Sequence, residues 1–250
     1  MANYLFKKSF QLKTLKPTTY NDLWGYKGVF STIRIVGKKP KYILVHDHVK
    51  KINLSLRKLN INFILSEKEL SLLIFPFLHK IKKYDHLLRV AVNSKIISVS
   101  LRERLKPNTN FDATLFSYQR STPSHKNLYY KKILKKLFSI NTQKTEIILF
   151  QNNILLEGCT TNIFCVRNKI IYTPRTNFYK GTTMNYLLRK SKRVSKKINI
   201  LIHELYKFDE ILLVGSGKGV ISLKSIDKIN WKSKSNLIYE EFLNLYKKLL

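Results

Sequence analysis

The sequence predicts an α+β chain of two lobes, and three observations carry that prediction. Its 250 residues suffice for one large domain or two small ones, each with a real core. Stretches rich in β-branched residues alternate with helical patterns along the whole chain, and no internal repeat stands out. A short polar segment with a proline, "STPSHK", separates a run of strands from a new helical pattern. The expected division is an N-terminal α/β lobe over 1–117, an interdomain loop over 118–124 and a C-terminal α/β lobe over 125–250.

In the first lobe, "GVFSTIRIV" is β-rich, and "GKKP" turns it into the apolar run "KYILV", which reads as a hairpin. "HDHVKKINLSLRKLNI" follows, with Val49, Ile52, Leu56 and Leu59 on one helical face. "SEKELSLLIFPFLHKIKK" opens on Ser66 with Glu69 three residues on, a capping box, and reads as a helix despite Pro76. "HLLRVAV" and "KIISVSLRE" flank the dipeptide "NS" as a second hairpin, and "ATLFSYQR" is a further strand. In the second lobe, Leu128, Ile133, Leu134, Leu137 and Phe138 mark a helix. The strands "TEIILF", "NILLEG", "NIFCV" and "KIIYT" come next, then a helix near Thr182 to Lys192. The strands "INILIHEL", "EILLV" and "GVISLKSI" and a helix from about Asn236 complete the chain.

Composition narrows the function. An apolar fraction of 44% with 12% aromatics belongs to a folded globular protein. No apolar run approaches the roughly 18 residues that span a bilayer, and "MANYLFKKSF" has no long apolar segment with a small-residue cleavage site. Two cysteines, Cys159 and Cys165, fit a reducing compartment, so a cytoplasmic protein is expected. Their spacing, without a second pair, does not suit zinc, and His46-Asp47-His48 lacks a third spaced ligand, so no metal is expected. Lys and Arg number 47 against 15 Asp and Glu, a formal net charge of +32. That excess suits a polyanion partner, but it also accompanies the Asn, Ile, Tyr and Phe that accumulate under an A/T-rich coding sequence. No arginine-rich tail, zinc-finger spacing or RNP-like aromatic motif supports nucleic acid as partner.

"ILLVGSGKGVIS" has the look of a triphosphate cradle and fails as one. A Walker A loop needs glycine at 212 and Ser or Thr at 219, where this chain has Leu212 and Gly219. The alternating "VISLKSI" that follows is a strand pattern, not a helix. Backbone N–H groups and the Ser216 hydroxyl can still meet a smaller anion. Among the few acids Glu157 is out of place, because it ends an apolar strand and enters the small polar cluster "GCTTN". A carboxylate buried there needs a cation or a protonated nitrogen.

"EGCTTNIFCVRNKIIYTPRT" resembles the motif of the fold-type IV pyridoxal-phosphate enzymes, a Glu-Gly-x-Thr/Ser-x-Asn-hydrophobic-Phe run followed by a hairpin and Thr-Pro. "GVFSTIRIV", "HVKKINLSLRKLNI", "YKGTTMNYLL" and "FDEILLVGSGKGVISLKSID" are similar to further segments of that family, in the same order, over about residues 23–230. The family includes branched-chain and D-amino-acid aminotransferases and 4-amino-4-deoxychorismate lyase. The resemblance implies the two-lobed fold of the D-amino-acid/branched-chain aminotransferase type, with pyridoxal 5'-phosphate between the lobes, and a homodimer.

It also implies roles for residues. "RSTPSHKNLYY" resembles the segment bearing the Schiff-base lysine, which nominates Lys126 as the catalytic residue and Tyr130 as partner of the ring hydroxyl. Glu157 becomes the partner of the pyridinium nitrogen. Arg34, Thr182, Thr183 and Ser216 become the phosphate site, the two threonines at a helix start where N–H groups and the dipole favour an anion. Lys218, Arg89 and Arg102 are candidates for substrate carboxylates. Two positions depart from the pattern: Met184 stands where the family has arginine and Lys27 where it often has an acid. The short chain, "GVFSTIRIV" and "NIFCVRNKIIYTPRT" lie nearest the lyase branch, which releases 4-aminobenzoate and pyruvate. A transaminase of branched-chain or D-amino acids, and a non-catalytic polyanion-binding protein on a degenerate version of the fold, are the alternatives.

Overall fold

A computed structural model describes residues 3–78 and 81–250, which fall into two compact units. The first comprises residues up to 105 together with 125–131 and residue 250; the second comprises 106–124 and 132–249. The chain therefore does not divide once at 118–124. The strand just before that loop pairs in the second unit, and the segment just after it hydrogen-bonds back into the first.

The first unit is built on β1 (Tyr4–Gln11), β2 (Pro17–Thr18), β3 (Gly28–Gly37), β4 (Lys41–Tyr42), α1 (Val45–Lys58), α2 (Glu67–Ile74), β5 (Tyr84–Asn93) and β6 (Ile96–Glu103). Its strands form one sheet in the order β2-β1-β6-β5-β3-β4. The expected "KYILV" strand shrinks to the two residues of β4, because Leu44 turns left-handed and starts α1. The main partner of β3 is instead β5, paired over ten residues from Gly28↔Asn93 to Gly37↔Tyr84. α1 buries Val49, Ile52 and Leu56 as its periodicity predicts, and adds His48 and Ser55. α2 has the predicted capping box, but ends at Ile74 before a turn of 3₁₀ helix over Phe75–Phe77, since Pro76 cannot continue it. Residues 79 and 80 of that predicted helix lie outside the described residues. The core joins Ile33, Ile35, Leu88, Val90, Val99 and Leu101 of the sheet to Ile52, Leu56 and Ile74 of the helices. Each such side chain contributes about 1.5–3 kcal/mol of burial.

The second unit continues with β7 (Asp112–Ser117), α3 (Lys131–Leu137), β8 (Thr145–Gln151), β9 (Ile154–Gly158), β10 (Asn162–Arg167), β11 (Ile170–Pro174), α4 (Thr182–Lys190), β12 (Ser195–Ile198), β13 (Glu210–Gly215), β14 (Gly219–Ser222), β15 (Ser225–Ile226), β16 (Ile229–Lys232) and α5 (Leu237–Lys247). One sheet runs β12-β11-β10-β13-β14 and another β16-β15-β7-β8-β9. α3 is shorter than its pattern predicts and buries only Ile133, leaving Phe138 exposed. "INILIHEL" is not a strand: β12 ends at its first residue, Ile198, and Ile202–Lys207 is a 3₁₀ helix. Two apolar clusters fill this unit, one around Trp231, Phe111 and Leu213, the other around Phe164, Phe242 and Leu187. Among the described residues no helix is long and apolar enough to cross a membrane.

Candidate cofactor and substrate site

In the first unit, residues 125–131 lie along the start of β3. Phe30 N–H donates to Lys126 O at 2.9 Å, Leu128 N–H to Gly28 O at 3.0 Å, and Gly25 N–H to Leu128 O at 2.8 Å. Glycine is required at 28, since a Cβ there sits 2.4 Å from Val92 O and 2.7 Å from Leu128 Cδ1. This seating brings Lys126 Nζ to 4.9 Å from the Phe30 ring centroid. The buried Tyr130 ring meets the other aromatics, 5.2 Å from Phe30 and 5.4 Å from Trp24. Lys126, Tyr130 and Phe30 are thus brought together.

Arg89 belongs to the same group. It faces Thr32 across the β3–β5 ladder, its guanidinium lies 3.7 Å from the Trp24 ring centroid, and it donates to Asp22 O at 2.6 Å. Its Nε is buried without a hydrogen-bond partner. Burial lowers the Arg89 pKa to about 10, leaving it a cation at neutral pH. Arg102 lies on the same sheet face, because Arg89 pairs with Ser100 and Arg102 is two residues further along β6.

Arg34, expected at a phosphate, is buried and forms an ion pair. Its Nε donates to Asp85 Oδ1 at 3.0 Å, and Arg104 reaches the other oxygen of Asp85 at 3.4 Å. The reason is cross-strand: Arg34 pairs with Leu87, so Asp85 is its diagonal neighbour on one face. A further cation of this unit is Lys51. It lies three residues from His48 on α1, one helical turn away, and with Lys126 it acts on the His48 imidazole. That imidazole is held 2.7 Å from Ser31 Oγ, and burial, followed by the two lysines, pushes its pKa down to about 3.

In the second unit Glu157 is buried at the end of β9, as its place between apolar strand and polar turn suggests. The cation it faces is Arg120, whose Nε donates to Oε1 at 2.9 Å and whose Nη2 donates to Oε2, a two-pronged bond. Tyr179 N–H donates to Oε2 at 3.2 Å. Arg120 carried no role in the sequence reading, although "RSTPSHK" begins with it. The Asn162 carboxamide accepts from Gly181 N–H at 2.9 Å and donates to Tyr179 O, so it shapes the turn that starts α4.

That start has the features of an anion site. Gly181 caps α4 with no side-chain hydrogen bond, so the first N–H groups have no partner from the helix itself. Thr183 Oγ1 lies 3.4 Å from Ser216 Oγ of the β13–β14 loop, and Thr182 Oγ1 is buried with no hydrogen-bond partner. Thr182, Thr183 and Ser216 are therefore gathered, and the orphaned hydroxyl fits a group that accepts hydrogen bonds, as a phosphate does. Lys218, expected at a substrate carboxylate, instead pairs with the fully buried Glu146 at 3.4 Å. Among the described residues no cluster of three or more His, Cys, Asp or Glu is placed to hold a metal. The Cys159 and Cys165 thiols are buried, which raises their pKa values.

Comparison with known proteins agrees with this chemistry. Residues 28–226 match the model of the amino-transferase class IV family. An aminodeoxychorismate lyase of Bacillus subtilis is 25% identical, over 94% of this chain and 89% of its own length. A solved Legionella pneumophila structure assigned to 4-amino-4-deoxychorismate lyase superposes with a TM-score of 0.75 at 19% identity, covering 89% of this chain and 91% of that one. The branched-chain aminotransferase of Thermoproteus uzoniensis, solved with norvaline, gives 0.80 at 18% identity, covering 96% and 93%. The fold is that of the class IV aminotransferases. Since the family match takes in most of the chain, this protein belongs to the amino-transferase class IV family and is a pyridoxal-phosphate-dependent enzyme.

Proposed function

We propose that this enzyme is a lyase that converts 4-amino-4-deoxychorismate to 4-aminobenzoate and pyruvate. The observation that carries the proposal is that Arg89, beside Phe30, and Arg102, its diagonal neighbour across the β5–β6 ladder, put two cations on one sheet face. A substrate with two carboxylates suits it. The alkyl group of a branched-chain amino acid would leave the buried Arg89 Nε without an acceptor, a cost of about 1–3 kcal/mol. The likeness to the Bacillus subtilis lyase over nearly the full chain supports the same choice.

Lys126 would hold the cofactor at its carbonyl carbon and Tyr130 would meet its ring hydroxyl. Glu157, fixed by Arg120, would meet the ring nitrogen. Thr182, Thr183 and Ser216, gathered at the start of α4, would take the phosphate. Bound pyridoxal phosphate supplies an electron sink for the carbon that bears the substrate amine. The Lys126 amine would be the base that takes the proton from this carbon. The C–O bond to the enolpyruvyl group breaks, the ring becomes aromatic, and a proton delivered to the departing methylene gives pyruvate. Atoms balance without a second substrate.

The test is an assay with no keto-acid acceptor. Stoichiometric 4-aminobenzoate and pyruvate are expected. Amine transfer that requires a keto acid would support the alternative, a class IV aminotransferase of branched-chain or D-amino acids. The same reading takes the enzyme to be a cytoplasmic homodimer, and sedimentation equilibrium tests the dimer.

A further inference from the structure

The motif "GSGKG" holds three glycines, and each adds conformational freedom where one hydroxyl must be held still. The Gly215↔Gly219 pair closes the base of the loop on the β13–β14 ladder, which leaves Ser216, Gly217 and Lys218 at its tip. Lys218 does not extend into solvent: its side chain is 11% exposed, and Nζ lies 3.4 Å from Glu146 Oε2 and 4.4 Å from the Phe111 ring centroid. Thr145 O is a further partner, at 3.5 Å.

Glu146 is fully buried on β8, in the sheet that does not contain β13 and β14. Its carboxylate accepts from Thr160 Oγ1 at 2.5 Å, Thr161 Oγ1 at 3.2 Å and Ile147 N–H at 3.0 Å. One carboxylate thus ties three segments together: β8, the turn that follows Glu157, and the loop that bears Ser216. Gly215 packs against that same turn, where a Cβ would stand 3.1 Å from Thr160 O.

We infer that Lys218 and Glu146 are a positioning pair for the cofactor's phosphate. The ion pair anchors the tip of the glycine loop so that Ser216 Oγ stays beside Thr183 Oγ1. Lys218 touches neither cofactor nor substrate; it acts through Ser216. This rests on the reading of Ser216 as a phosphate ligand, and the experiment tests the two separately.

Apoenzyme is titrated with pyridoxal phosphate and, in parallel, with pyridoxal, which lacks the phosphate, with binding followed by absorbance. Four variants are compared: Ser216→Ala, Lys218→Met, Lys218→Arg, and the double variant Glu146→Gln/Lys218→Met, which leaves no unpaired buried charge. Lys218→Met and the double variant are expected to weaken pyridoxal phosphate about tenfold and pyridoxal by less than twofold, whereas Lys218→Arg stays within twofold for both. Equal weakening of the two ligands, or none, overturns the inference, because a general loss of stability does not select for the phosphate. Should Lys218→Met fail to fold, the double variant and Lys218→Arg decide by the same ratio. If Ser216→Ala leaves the ratio unchanged, the phosphate reading itself fails. If Ser216→Ala lowers the ratio and the lysine variants do not, only the positioning pair is rejected.

Discussion

Two single residues carry predictions of opposite kinds. Arg120 is nearly fully buried against the carboxylate of Glu157, and its fork of donors meets both oxygens. Removing one member of such a pair strands a charge, so Arg120→Met should lower stability by about 3–5 kcal/mol. Arg120→Lys should fall between, since an ammonium cannot reproduce the fork. Urea unfolding measures both, and an unchanged midpoint for Arg120→Met would mean the pair contributes nothing. His48 carries a pH dependence. Burial and the nearby Lys126 and Lys51 hold its folded pKa at about 3, against 6.5 in the unfolded chain. Between those values the unfolded state binds the extra proton, so stability should decline as pH falls below about 6.5, by up to about 1.4 kcal/mol per unit. His48→Gln should flatten that part of the profile; a slope that persists unchanged assigns it to other groups. Glu157 was legible in the sequence because a lone acid at the end of an apolar strand is a local anomaly. The partner of Arg34 was not, because Asp85 lies 51 residues away and becomes a neighbour only through strand pairing.

Elements place these residues through backbone contacts that tolerate little change. The segment carrying Lys126 and Tyr130 is seated on β3 by hydrogen bonds to Gly28 and Phe30. Gly28→Ala puts a methyl group 2.4 Å from the Val92 backbone oxygen and 2.7 Å from Leu128 Cδ1, and the backbone oxygen can be relieved only by a shift of the strand. The expected result is a loss of about 1–3 kcal/mol, together with weaker cofactor binding as the segment lifts from the strand. Differential scanning calorimetry and an absorbance titration check the two parts. Normal cofactor affinity in the folded variant would show that this seating does not govern Lys126. Helix faces and the capping box of α2 were readable because they depend on residues a few positions apart. "KYILV" misled for the complementary reason: its apolar residues suit a strand, and only the left-handed Leu44 turns them into the start of α1.

At the scale of the whole molecule, charge is the dominant unspent quantity. Were all 15 acids paired, the 47 basic residues would still leave +32. Buried pairs such as Arg120–Glu157 and Lys218–Glu146 are little exposed to counterions, whereas surface lysines repel one another through water. The boundary at 118–124 was drawn from a polar run, and composition could not reveal that the chain returns to the first unit for only seven residues, 125–131. The charge itself, by contrast, is fully legible, and it makes a prediction independent of topology. Self-repulsion destabilises the compact state, and raising salt from about 0.1 M to about 1 M shortens the screening length from about 10 Å to about 3 Å. The melting temperature of the apoenzyme should therefore rise with sodium chloride, by about 2–4 °C for each kcal/mol of repulsion relieved. Chloride is the right anion for the test, because sulfate and phosphate also stabilise by exclusion from protein surfaces. A melting temperature that falls with sodium chloride would show instead that short-range ion pairs outweigh the net positive field.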